Sequence, residues 1–364
     1  MVSVGPAAGA SIVGAGHAVP GAMGQQHLWD DYFAEHYAGN RTARRIWTSA
    51  GITTRHGVVD PAIEDISTLG TGARMQRFVA EALPLGKEAV GAALADAGLD
   101  APDVGLFGVV TCTGYATPGL DILLARDLGM TPDVQRLMVG HMGCYAALPG
   151  LGAVADFVTA RNRPAVLLCM ELTSLHVQPP SVSARSRTPT HEDLQQMVAH
   201  ALFSDAAAAV VLQPGTPGLE VVDVVARTDV STSDHMTWDV TDLGFKMGLS
   251  PRVPDVLALH VRGVVESLLE RNGLSVGDVA GWAVHPGGRR ILEVVADRLG
   301  LPDEAMGPSY DVLRDFGNCS SATVLLVLEQ LMATQPPAPG EPVVLMAFGP
   351  GLTLYVALLR RTAG

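Results

Sequence analysis

Three polar residues stand in contexts that could support nucleophilic chemistry. Cys144 lies in Val139-Gly-His-Met-Gly-Cys-Tyr-Ala-Ala-Leu-Pro-Gly-Leu, where an apolar strand ends in Gly143 and an Ala-rich helix follows the cysteine. A thiol at a helix N-terminus feels the positive end of the macrodipole, so its pKa is expected to fall and its thiolate fraction to rise. Pro149 fits near the first turn, where a missing N–H is best tolerated. A lone cysteine in such a run is also a common buried structural residue, and on these grounds both readings stand. His285 follows the apolar run 280–284 and precedes Pro286-Gly-Gly. That places an imidazole at a strand's carboxyl end, where layered α/β folds collect active-site groups. His141 is a rival base that ranks lower, because strand alternation leaves its direction undecided. Asn318, in Phe316-Gly-Asn-Cys-Ser-Ser-Ala-Thr, is either the N-cap of the apolar helix 322–331 or an amide donor. Brought together, thiolate, imidazole and amide could accept an acyl group and hold the oxyanion that forms. The loop Ala347-Phe-Gly-Pro-Gly-Leu-Thr would lay bare backbone beside them.

The elements that must position these groups alternate. Short apolar runs (104–111, 164–170) are followed by longer helical runs (118–128, 191–201), which argues a layered α/β fold. Thr190-His-Glu-Asp, after a Pro/Ser/Arg-rich loop over 178–189, reads as a helix start with an N-cap threonine and an acid three residues on. Pro214, Gly215, Pro217 and Gly218 break the chain past its middle, a seam between halves. An internal repeat spans that seam. Leu94-Ala-Asp-Ala-Gly98-Leu99, Asp103-Val104 and the strand 105–110 align with Leu269-Glu-Arg-Asn-Gly273-Leu274, Asp278-Val279 and the strand 280–285. Gly98 and Gly273 stand 175 residues apart, and the same offset carries Cys144 onto Cys319 and Gly143 onto Asn318.

Composition limits the partners. The 364 residues are 48% hydrophobic and 17% charged, enough apolar material for a folded chain of one or two core-sized units. A net charge of −13 argues against a general grip on nucleic acid or an anionic membrane, so an anionic ligand needs a local basic patch. The four cysteines lack metal-ligand or disulfide-framework spacing, which fits a reducing cytoplasm and no metal. The apolar segment 1–19 has no Lys or Arg and reads as a first strand. No window reaches about 18 uninterrupted apolar residues, so no membrane span is expected.

The ordered stretches Thr113-Gly-Tyr-Ala-Thr-Pro-Gly, Gly143-Cys-Tyr-Ala, Ala201-Leu-Phe-Ser-Asp-Ala-Ala-Ala, Leu243-Gly-Phe, His285-Pro-Gly-Gly, Gly317-Asn-Cys-Ser-Ser-Ala and Phe348-Gly-Pro-Gly-Leu-Thr resemble the type III polyketide synthases. That family includes the chalcone and stilbene synthases, within the thiolase superfamily. The resemblance implies an α/β fold of duplicated, thiolase-like βαβα halves in a five-layer α-β-α-β-α arrangement. Residues 1–213 would carry the nucleophilic cysteine and residues 219–364 the catalytic histidine and asparagine. It implies Cys144 as the acyl-accepting nucleophile, with His285 and Asn318 promoting malonyl-CoA decarboxylation and holding the oxyanion. CoA thioesters are then the substrates, with no cofactor. Phe203 and Phe245 match the family's two gatekeeping phenylalanines, the alternative being two core aromatics. Cys112, Thr113, Thr117, Thr173, His176, Met236, Ser320, Gly349, Pro350 and Gly351 would line the substrate cavity.

The sequence also departs from the family's plant members. Ser49 and Thr53 stand where lysine is common, which leaves Arg41, Arg44, Arg45 and Arg55 as candidates for the CoA phosphates, with Arg44, Arg45 and Arg55 assigned. Cys112 replaces a hydroxyl residue, His176 a threonine, and Met236 and Trp238 lie where the cavity is controlled. These look more like bacterial members, which make pyrones, resorcinols or naphthols from acyl or malonyl starters. A cytoplasmic homodimer is expected, with Thr117 on the loop that reaches the neighbouring subunit. The alternatives are a chain-initiating β-ketoacyl-carrier-protein synthase, disfavoured by Pro286-Gly-Gly, and a non-catalytic acyl-binding protein, which has no need of all three polar residues.

Overall fold

β-Branched and small apolar side chains pack well on a pleated surface, and here they build a sheet of nine strands among the described residues. The computed structural model describes residues 9–186 and 188–363. The expected first strand is Ala10–Ala18; the part of that expectation on residues 1–8 lies outside the described residues, as does Arg187 of the 178–189 loop. The first half orders its strands Gln135–Gly140, Leu106–Thr111, Ala165–Glu171, Ala206–Pro214, Ala10–Ala18. The second half orders them Gly281–Val284, Pro342–Gly349, Thr353–Arg361, Leu219–Thr228. Directions correspond as well. Leu106–Thr111 runs parallel to Ala165–Glu171, as Gly281–Val284 does to Pro342–Gly349, and the next strand in each half is antiparallel.

The repeat holds at single residues. Gly98 and Gly273 both take left-handed backbone, at φ 63 and φ 72, where glycine alone carries no Cβ penalty. The turns that follow are both closed by capping boxes, Asp100 with Asp103 and Ser275 with Asp278. The duplication is unequal, however. Where the first half has the edge strand Gln135–Gly140, the second has the helix Gly307–Phe316. Nor do the halves stand apart, since Ser11 and Ile12 pair with Glu220 and Leu219, and this short pairing joins the sheet portion of each half into the one run of nine strands.

Burial defines five layers. Leu148, Leu151 and Val154 of Ala147–Arg161 share one core with Val324, Val327 and Leu331 of Thr323–Thr334, and with Val110, Leu167, Leu345 and Leu359 of the two sheets. These two helices form the central layer. Phe78, Val90 and Leu124, from Thr71–Ala97 and Leu120–Leu128, cover the outer face of the first sheet. Leu257, Val261 and Leu292, from Val253–Arg271 and Arg289–Leu299, cover that of the second. Strands covered on both faces read as continuous apolar runs, and Leu106–Thr111, Ala165–Glu171 and Pro342–Gly349 are buried along their whole length. The segment Gly143–Arg161 has the length and apolar content of a membrane span, yet it lies between the sheets.

Short 3-10 turns, Gly143–Tyr145 and Ser320–Ala322, lead into the two central helices and pack against each other. This juxtaposition brings Cys144 of one half to the Asn318–Ser320 segment of the other. Helix His191–Leu202 starts at the Thr190 cap, where Thr190 Oγ1 accepts from Asp193 N (3.2 Å) and Thr190 N donates to Asp193 Oδ2 (2.8 Å). It ends at Phe203.

Candidate active site

Cys144 is 2% exposed and sits in the 3-10 turn itself, one turn before the α-helix. The strand that precedes it ends at Gly140, earlier than the sequence suggests. Its packing is tight. A Cβ on Gly349 would come within 2.8 Å of Tyr145 Cδ1 and 3.3 Å of Cys144 N, and one on Gly143 (φ 74) within 2.7 Å of Pro350 Cδ. Gly349 thus presses bare backbone, and Pro350 its ring, against the cysteine turn, whereas Gly351 lies against Thr353 and Thr228; of the three, Pro350 alone borders a space beside Cys144, so Gly349 and Gly351 do not line the substrate cavity as expected. The expected fall in the Cys144 pKa is not found. Burial pushes the thiol up to about 12, against the opposing influence of Ser320 and Asn318, while the nearby Glu171 carboxylate pushes it further up. Desolvation of a thiolate outweighs the small dipole of a single short turn.

His285 directly follows Gly281–Val284, and its backbone N–H donates to Met346 O (2.8 Å). The ring is fully buried, edge-on to Phe348 at 5.5 Å, and neither ring nitrogen has a hydrogen-bond partner. Burial holds its pKa down, at about 3, so the imidazole is neutral, with one donor and one acceptor unused. A buried polar group without a partner is costly. Asn318 is held by its backbone between Leu202 O (2.9 Å) and Ser204 N (2.9 Å), and its Oδ1 accepts from Ser320 N (2.9 Å). That assignment leaves the amide N–H groups toward the cavity. Ser320 takes φ 50, an uncommon conformation for a residue with a side chain.

Cys144, His285 and Asn318 line one cavity of about 350 Å³, together with Phe203, Met236 and Phe348. Its mouth is bordered by Ser49 and Ala50, after the helix Arg41–Thr48, and by Arg289 and Arg290 at the start of Arg289–Leu299. Arg44 and Arg45 are exposed on the first of these helices. Arg55 does not join them. It is buried, donates to His200 O (2.6 Å) and Phe203 O (2.9 Å), and lies over the Trp47 ring at 4.7 Å. It braces the Phe203 segment and cannot present its guanidinium to a phosphate in solvent.

Phe203 borders this cavity, a chamber of about 30 Å³ beyond Cys144 and a further space of about 70 Å³. Phe245 lines only the last of these and is stacked on His176 at 4.6 Å. His176 is a connector: its Nε2 donates to Thr113 O (2.7 Å) and its Nδ1 accepts from Phe245 N (3.0 Å), with burial holding it neutral. Thr113 and Thr173 border the chamber, but their hydroxyls are engaged within the protein, Thr113 with Glu171 Oε2 (2.8 Å) and Thr173 with Ser204 O (2.9 Å). Cys112 and Ser320 border it too, their Sγ and Oγ atoms 3.5 Å apart. Thr117 lies outside, in a pocket of about 280 Å³.

Sequence reasoning missed three side chains. Glu171 is fully buried at the end of Ala165–Glu171 and accepts from Cys112 N (3.1 Å), Thr113 and Ser321. An acid closing an otherwise apolar strand was the available signal. Arg289 and Arg290 follow His285-Pro-Gly-Gly directly, and their signal was adjacency to that motif.

A five-layer duplicated α/β fold that brings a thiol, an imidazole and an amide to one buried cavity defines the class of thiolase-fold condensing enzymes. Residues 3–216 match the N-terminal domain of chalcone and stilbene synthases and residues 223–363 their C-terminal domain. The chain belongs to that family, the type III polyketide synthases. It is 37% identical over 338 residues to 1,3,6,8-tetrahydroxynaphthalene synthase of Streptomyces peucetius subsp. caesius, covering 91% of this chain and 86% of the relative. It is 34% identical over 324 residues to the alpha-pyrone synthesis polyketide synthase-like Pks18 of Mycobacterium tuberculosis, covering 85% and 80%. The crystal structure of 1,3,6,8-tetrahydroxynaphthalene synthase from Streptomyces coelicolor A3(2) superimposes with a TM-score of 0.88 at 26% identity, covering 97% of this chain and 100% of that one.

Proposed function

We propose that Cys144 is the nucleophile of the polyketide synthase reaction, that His285 and Asn318 stabilise the oxyanions, and that the product is a pyrone, resorcinol or naphthol. The observation that carries this reading is the buried neutral His285, with both ring nitrogens unpartnered, on the same cavity as Cys144 and Asn318. With thiol and imidazole both neutral at rest, the proton moves only as the bond forms. The Cys144 sulfur attacks the acyl-CoA carbonyl while His285 takes its proton, and the departing CoA sulfur takes that proton back. Malonyl-CoA then loses CO2, and the electron pair left behind forms an enolate whose oxygen accepts from Asn318 and from the N–H of His285. The enolate carbon attacks the acyl thioester and the Cys144 sulfur leaves, which lengthens the chain by two carbons. These steps use CoA thioesters as substrates and require no cofactor or metal.

We infer that Arg289 and Arg290, which border the mouth, and Arg44 and Arg45, exposed on the helix Arg41–Thr48 that precedes it, meet the CoA phosphates on an otherwise acidic protein. A cytoplasmic setting fits these substrates and the four free cysteines. A homodimer fits the edge strand Gln135–Gly140, which offers an unpaired edge next to the exposed Tyr115, Ile122 and Met138. The test of the site is incubation with a labelled acyl-CoA starter and malonyl-CoA, followed by peptide mapping and product analysis. Label on Cys144, with loss of all polyketide in Cys144→Ala, is the expected result. Label on Cys112, Cys169 or Cys319 would overturn the assignment.

A further inference from the structure

Asp205 is a fully buried acid, two residues after Phe203, that no step of the reaction uses. Its Oδ1 accepts from Ser174 N (2.8 Å), and its Oδ2 from Val58 N (2.9 Å) and Ser174 Oγ (2.5 Å). Thr173 Oγ1 shares its one proton between Asp205 Oδ1 (3.1 Å) and Ser204 O (2.9 Å). The carboxylate thus fastens the segment 203–205 to two others, the turn after Ala165–Glu171 and the chain that follows the strand Thr54–His56. Burial pushes its pKa up against these donors, and the buried Arg55 guanidinium, which donates to Phe203 O (2.9 Å), sets an opposite charge on the same segment. That segment also holds Asn318. Phe203 and Asn318 form a parallel bridge, in which Asn318 N donates to Leu202 O (2.9 Å) and Ser204 N donates to Asn318 O (2.9 Å). Ser204 is clamped in turn, its Oγ accepting from His56 N (2.8 Å) and donating to His56 O (3.1 Å). A shift of 203–205 therefore moves the Asn318 backbone, whereas Cys144 stands on a separate turn and His285 at a separate strand end.

We propose that Asp205 is a positioning residue that, through Ser204, aims the Asn318 amide at the oxygen of the forming enolate. The proposal rests on Asn318 as an oxyanion donor. An amide cannot take the place of the carboxylate. Each oxygen of Asp205 accepts from a backbone N–H, so one end of an asparagine would set its own NH2 against Ser174 N or Val58 N. Two donors facing each other in a buried site lose their hydrogen bond and stay unsatisfied, which displaces the segment. Decarboxylation, where charge builds on the oxygen that Asn318 meets, responds to that displacement; binding of the CoA portion at the mouth does not.

Asp205→Asn, its fold checked by circular dichroism, is assayed for CO2 release from malonyl-CoA and for single-turnover acylation of Cys144 by hexanoyl-CoA. The kcat for CO2 release should fall roughly 10–100-fold, the scale of loss when a reacting group is misplaced by about an ångström, with KM for malonyl-CoA and the acylation rate unchanged. Ser174→Ala removes one donor to the carboxylate and keeps both backbone N–H bonds. It should give a smaller loss of the same kind, and it carries the test should Asp205→Asn not fold. Both changes are repeated in an Asn318→Ala background, where neither should cost anything further, because a residue that acts through Asn318 has nothing left to aim. A loss that persists in full in that background, a parallel loss of acylation, or CO2 release unchanged in every variant that folds overturns the role of Asp205. Asn318→Ala alone separates this from the reading beneath it. If that variant releases CO2 at the wild-type rate, the oxyanion site falls and Asp205 with it; if it is slow and Asp205→Asn slows it again by the same factor, only Asp205 is contradicted.

Discussion

Cys144 sits where two electrostatic effects oppose each other, and their magnitudes decide its state. A helix terminus contributes roughly 0.3–1 kcal/mol to a nearby charge, whereas full burial moves a pKa by as much as 3–5 units. Burial accordingly leaves the thiol protonated, and the neutral His285 offers no cation to offset it. Alkylation of Cys144 by iodoacetamide should therefore climb about tenfold per pH unit from pH 6 to 9 without a plateau, followed by mass spectrometry; a plateau below pH 8 would restore the low-pKa reading. The two matched phenylalanines should also separate. Phe203→Ala should change product length, because its ring borders three spaces, whereas Phe245→Ala should cost about 3–5 kcal/mol in thermal unfolding, because its ring is packed on His176. The three residues that the structure brings to one cavity stand out in sequence, Cys144 and Asn318 each directly after a glycine and His285 at the end of an apolar run. The burial of Arg55 under the His200 and Phe203 carbonyls does not, since it comes from chain 145 or more residues away.

The elements nearest the site are turns, and glycine decides them. Gly349→Ala places a methyl against Tyr145 and the Cys144 backbone, so it should destabilise by about 1–3 kcal/mol and slow acyl loading, measured by urea unfolding and single-turnover labelling. Helix His191–Leu202 matches its sequence reading almost to the residue, because the Thr190 and Asp193 pair is a local device that needs no tertiary help. Gly307–Phe316 was different. The repeat points to a counterpart of the edge strand there, yet Pro308 near the helix start and buried Val312 and Leu313 favour a helix packed on the second half. Local signals prevailed over the symmetry of the duplication.

Across the whole molecule the two halves are bound by shared strands, a common central layer and a site that takes its thiol from one and its imidazole and amide from the other. His17 of the first half and Glu329 of the second, 2.9 Å apart and half-buried, form one such link. The Glu329 hydrogen bond raises the His17 pKa above 6.5, so this link stabilises fully below pH 6.5 and is lost as pH rises through the raised value. Its worth is at most about 1 kcal/mol, and His17→Ala should flatten the decline in thermal stability above pH 6.5. The layered α/β class was legible from alternation and the duplication from the repeat, whereas the five-layer arrangement was implied by the family resemblance alone. The joining pairs Ser11 with Glu220 and Ile12 with Leu219 were not legible, because a two-residue pairing leaves no periodic trace. If both halves act on one reaction in separable steps, Asn318→Asp should separate them. That change puts a carboxylate where the enolate forms, and loss of one oxyanion donor costs about 10²–10³ in rate. Single-turnover acylation of Cys144 by a starter CoA and CO2 release from malonyl-CoA are measured on the same folded variant. CO2 release should fall by about 10²–10³ while Cys144 is still acylated; equal loss of both steps would mean that Asn318 serves the cysteine and not the enolate.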